Sequence, residues 1–148
     1  MNGIVMAITL AVVSGAAAAV QPAINTAMAS ALKSALTAAL VSFSLGAAVL
    51  LCAVLALRER PDFAAARELP WYMWLGGLCG VGFVASAPYV VARVGISTTM
   101  TLFILGQLIM SIALDHFGAF GVLPRSITIG RIAGLMAVIL GVYLVRRN

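Results

Sequence analysis

Residues 3–28 read GIVMAITLAVVSGAAAAVQPAINTAM, a run of 26 positions without one charged side chain. A helix needs about 20 mostly apolar residues to cross a hydrocarbon core about 30 Å thick, so this run is long enough to span a bilayer. Four further runs of the same character follow, at about 34–57, 71–91, 96–114 and 130–145. Backbone polar groups in lipid must be satisfied within their own segment, which makes all five expected helices. The fold class expected is therefore an all-α integral membrane protein with five transmembrane helices, forming a single membrane domain over residues 1–148.

Composition supports that reading and narrows the function. Only 9% of the 148 residues are charged, against about 25% in a soluble domain, and five spans leave no length for a second domain. The nine basic residues against four acidic ones are scattered singly between apolar runs, which disfavours nucleic acid as a partner. Cys52 and Cys79 fall in separate apolar runs and read as small packing residues. There is no phosphate-cradling glycine loop, no nucleophile beside a base and no metal-ligand spacing, so neither an enzyme nor a cofactor or metal site is expected. An apolar run ending in Gly15 to Ala19 could pass for a signal peptide. No basic residue precedes it and four more spans follow, so it reads as the first span.

The charged positions also bear on topology. With five spans the termini lie on opposite sides. The side of the N-terminus receives Arg58, Arg60, Arg67, Arg125 and Arg131, and the other side receives Lys33, Arg93, Arg146 and Arg147. Basic-residue asymmetry sets orientation, and here the two sides differ by one. The expectation is a dual-topology chain that pairs with itself as a ten-helix antiparallel homodimer, which supplies the symmetry that transporters commonly build from inverted repeats.

Polar residues inside the spans mark the candidate site. Ser14, Ala18, Gln21 and Asn25 recur at helical spacing and share one face, and Pro22 between them lacks a donor, which predicts a broken helix lining a cavity. The alternative is that the amides bind neighbouring helices. In the fourth span Gln107 lies near the middle, where an amide is costly unless paired or wet, with Thr98 and Thr101 on a second face. Asp115 and His116 close that span, as either a proton-coupling site or an interfacial cap. In the third span Ser86 and Tyr89 share a face with Arg93, with Pro88 expected to interrupt the helix. They line a cavity, or belong to the interfacial belt in which Trp71, Tyr72 and Trp74 stand. Gly130, Gly134, Ala137 and Gly141 form a small-residue stripe on the fifth span suited to dimer contact. No Asp or Glu lies inside a span, which disfavours antiport of cationic drugs.

Several runs taken together resemble one family. Gln21-Pro22-Ala23-Ile24-Asn25, Leu69-Pro70-Trp71-Tyr72-Met73-Trp74-Leu75-Gly76-Gly77, Gly106-Gln107-Leu108, Asp115-His116-Phe117-Gly118 and the terminal Gly141-Val142 with its Arg pair resemble the YdcZ family of the drug/metabolite transporter superfamily. The resemblance implies five-span chains of dual topology, oppositely oriented pairs or fused ten-span forms in a bacterial inner membrane. The last span is also similar to that of the small multidrug resistance proteins, whose corresponding surface holds a dimer together. Those relatives carry a glutamate in the first span, where this chain has Gln21 and Asn25.

The function expected is a small secondary transporter working by alternating access on a small polar solute, with the bilayer, that solute and a second copy as partners. Gln21, Asn25, Gln107, Tyr89, Ser86 and Ser14 are the expected solute-binding residues. A passive ion pore and a non-transporting membrane subunit are the alternatives.

Overall fold

The computed structural model describes residues 3–147, and among them all regular structure is helical. The long helices are α1 (Gly3–Leu32) and α2 (Ala35–Ala56), separated by Lys33 and Ser34. A short α3 (Phe63–Glu68) follows, and then a 3₁₀ turn over Trp71–Leu75 leads into α4 (Gly76–Val94). α5 (Ile96–Phe117) and α6 (Ile129–Arg147) complete the chain. Five of these segments, with Trp71–Val94 taken as one, are long and apolar enough to cross a membrane.

Local chemistry sets the boundaries. Ser34 caps α2 by accepting from the Thr37 amide at 3.1 Å, and Lys33 turns the chain before it at φ 53°. Asp62 accepts from the Ala64 and Ala65 amides at 3.0 Å, so α3 forms between the second and third spans: the cap satisfies donors that a short helix would otherwise leave bare. Gly95 alone separates α4 from α5, at φ 78°. Gly118 ends α5 in the left-handed conformation, at φ 59°.

Two expectations about prolines are corrected. α1 runs unbroken through Pro22 and α4 through Pro88. Each proline forfeits one backbone bond, but both are buried by packed neighbours, and the Thr26 hydroxyl donates to the Pro22 carbonyl at 2.7 Å. Membrane helices tolerate proline where neighbouring helices pack against it. The spans also run longer than expected at the ends of α1 and α5, reaching Leu32 and Phe117.

The chain divides into two compact units, Met1–Ala92 and Arg93–Asn148. In the first, α1 packs on α2, and α4 comes close to α2 at Gly80, where an added Cβ would meet the Phe43 ring at 3.3 Å. In the second, α5 packs on α6. Burial is inverted relative to a soluble protein. Large apolar side chains such as Ile4, Leu36, Leu50 and Ile132 face outward, while Ala38, Ala87, Asn25 and Thr99 are among the most enclosed. Lipid is as apolar as leucine, so small and polar residues, which allow close approach or hydrogen bonding, gain most from contact between helices.

Candidate functional site

The first unit holds a cavity of ≈ 270 Å³ between α1 and α2. From α1 it is lined by Ala17, Val20, Gln21, Ile24, Asn25 and Met28, and from α2 by Val41, Ser42 and Leu45. The α1 positions follow the helical repeat, so one face of the helix supplies the wall. Asn25 is 2% exposed, and its Nδ2 has no hydrogen-bond partner. A buried donor left unmade costs about 1–3 kcal/mol, which marks this amide as a group awaiting an acceptor. Gln21, one turn earlier, is half-buried. Ser42 was not among the expected residues: nothing in the α2 sequence separates it from Ser44, two positions on.

The remaining α1 candidate, Ser14, is exposed and does not line this cavity. Ser86 and Tyr89 are exposed on α4, and the Ser86 hydroxyl donates to the Phe83 carbonyl of its own helix at 3.0 Å. Gln107 is exposed on α5 and lines neither this cavity nor the one described next. Thr98 is buried, whereas the Thr101 hydroxyl donates to the Ser97 carbonyl at 2.7 Å. The structure thus brings Gln21 and Asn25 together and leaves the other expected solute ligands outside this cavity.

The second unit holds a cavity of ≈ 270 Å³ between α5 and α6. Leu108, Ser111, Ile112 and Asp115 line one wall, and Arg131, Gly134 and Leu135 the other. Arg131 Nη2 donates to Asp115 Oδ2 at 2.8 Å, with the two side chains 25% and 32% exposed. Arg131 Nη1 is buried without a partner. The loop after α5 folds back on the last turn of that helix: the Arg125 amide donates to the Asp115 backbone carbonyl at 2.7 Å, and Pro124 lies against Gly118. His116 points elsewhere, its ring edge-on to Phe117 at 5.1 Å between centroids, and is exposed. The partnership of Asp115 with Arg131 was missed in the sequence because it joins positions sixteen residues apart across an irregular loop.

On α6, Gly130, Gly134 and Ala137 are exposed and Gly141 is half-buried. Gly134 opens onto the α5–α6 cavity, and an added Cβ there would meet nothing within 4 Å. Among the described residues no group of three or more His, Cys, Asp or Glu side chains could hold a metal ion.

A family model described as "Putative inner membrane exporter, YdcZ" matches residues 6–144. The chain belongs to the YdcZ family. That span takes in both cavities and all but the outermost three residues of the first and last long helices. Membership makes the protein a multi-pass inner-membrane protein of the exporter type, in agreement with its five apolar helices. No curated protein and no solved structure matches the chain.

Proposed function

We propose that this YdcZ-family chain is a small secondary transporter that works as an antiparallel homodimer, alternating access around a polar cavity to move a small polar solute. The observation that carries the solute reading is the α1–α2 cavity, in which the buried Asn25 amide lacks an acceptor beside Gln21 and Ser42. Its lining is uncharged, which suits a neutral or zwitterionic solute better than a lipophilic cation. Gln107, Tyr89, Ser86 and Ser14, exposed on a single chain, join the path where a second copy covers them. Asp115, with His116 beside it, is the coupling site. The near balance of basic residues between the two sides supports the antiparallel pairing, and Gly130, Gly134, Ala137 and Gly141 provide a close-packing surface for it.

Sidedness tests the assembly. A cysteine at position 148 of a Cys52→Ala/Cys79→Ala chain should react with impermeant maleimide in about half the copies in intact cells. Reaction from one side only would overturn the homodimer. Counterflow of radiolabelled neutral and zwitterionic solutes into proteoliposomes tests the site. Asn25→Ala should lower flux at least about tenfold, the equivalent of about 1.4 kcal/mol, and unchanged flux in both Gln21→Ala and Asn25→Ala would reject the assignment.

A further inference from the structure

The α5–α6 cavity carries both signs of charge and leaves both incompletely used. Arg131 commits Nη2 to Asp115 Oδ2 and keeps Nη1 without a partner. Ser111 stands one turn before Asp115 on the same wall and spends its proton on the Leu108 carbonyl at 2.9 Å, so its oxygen is left as an acceptor. Gly134 leaves the opposite wall open. The cavity is therefore walled by a guanidinium with one uncommitted nitrogen on α6 and, on α5, by a carboxylate one turn from a hydroxyl acceptor.

We propose that this cavity binds a small molecule bearing a primary ammonium and an oxyanion, of the kind found in a free α-amino acid or a phosphoethanolamine headgroup. The oxyanion takes the spare Nη1 of Arg131, and the ammonium is accepted by Asp115 and Ser111. Overall charge selects this class. The ion pair is neutral, so a zwitterion leaves the site neutral, whereas a simple anion or cation would add a net charge to a partly buried site. Nη1 is covered by its surroundings, so binding turns the guanidinium into the adjoining ≈ 270 Å³ of space. The inference stands on this cavity alone and holds whether or not the α1–α2 cavity carries solute.

The full chain in nanodiscs of phosphatidylcholine and phosphatidylglycerol, which lack a primary ammonium, is titrated calorimetrically with alanine, leucine, propionate and ethylamine. An amino acid should bind at least about tenfold more tightly than propionate or ethylamine. Gly134→Leu, which fills the cavity without altering a polar group, and Arg131→Lys, which keeps the charge but removes the second nitrogen, should each abolish that preference. Parallel nanodiscs containing phosphatidylethanolamine distinguish the source. A rise in melting temperature there that is lost in both variants, with no binding of free amino acid, identifies the headgroup as the ligand. Equal binding of all four probes would overturn the proposal, as would binding that survives both variants. So would the absence of both amino-acid binding and a variant-sensitive effect of phosphatidylethanolamine.

Discussion

The α1–α2 and α5–α6 pairs solve the same packing problem with opposite chemistry. Each leaves a cavity of ≈ 270 Å³, and each buries one nitrogen without an acceptor, Asn25 Nδ2 in the first and Arg131 Nη1 in the second. The first is joined by two residues and lined by amides, a hydroxyl and apolar side chains. The second is joined by the irregular segment 118–128 and held by an ion pair. A neutral wall requires no partner and places little demand on the connection. A charged wall requires its counterion at a set height, and the connection must supply it.

The sharpest way to break the contrast is at that connection. Gly118 has φ 59°, and a Cβ there would meet Pro124 Cγ at 2.7 Å. Gly118→Val should destabilise the chain by about 3 kcal/mol, combining left-handed strain with overpacking, as read from thermal unfolding in detergent. The loss should appear together with the Asp115–Arg131 contact. Next in size, Arg131→Ala leaves the Asp115 carboxylate without its counterion. For a pair that is partly exposed the expected loss is about 1–2 kcal/mol, and Asp115→Asn in the same chain should restore part of it.

The first unit should respond to packing more than to charge. Gly80→Leu forces a branched side chain toward the Phe43 ring, where even a Cβ stands at 3.3 Å, and should cost about 1–3 kcal/mol unless the ring swings aside. In contrast to Arg131→Ala, Asn25→Leu removes a buried donor that has no partner. It should leave stability unchanged or raise it by about 1 kcal/mol, while solute flux falls. A large loss of stability from Asn25→Leu would make the amide structural and erase the distinction between the two cavities. Thr26→Val, which deletes one bond back to the Pro22 carbonyl, should change the melting midpoint least, by the equivalent of about 0.5 kcal/mol.

The two regions also differ in how far they could be read from the chain itself. Five uninterrupted apolar runs announce five helices, because the bilayer imposes a minimum length on each. The Gln21 and Asn25 pair was legible for a similar reason: residues four apart on one helix share a face whatever the rest of the protein does. Ser14 obeys the same spacing and still misses the cavity, since its height along α1 places it beyond the lining segment of α2. The Asp115–Arg131 pair depends on the relative register of two helices, which the Gly118–Pro124 contact sets in three dimensions and no periodicity reveals. Pro22 and Pro88 suggested breaks because proline is costly in an isolated helix. The burial of both prolines belongs to tertiary structure, and the sequence pattern carries no sign of it.

The link at Lys33 and Ser34 has a consequence for biogenesis. Because only two residues separate α1 from α2, the pair can leave the insertion machinery as one helical hairpin with a lone ammonium at its tip. Carrying that tip across the bilayer, or holding it back, concerns one charge. Lys33 is one of the four basic residues on its side, so Lys33→Gln widens the difference between the two sides from one to two and should bias how newly made copies are threaded.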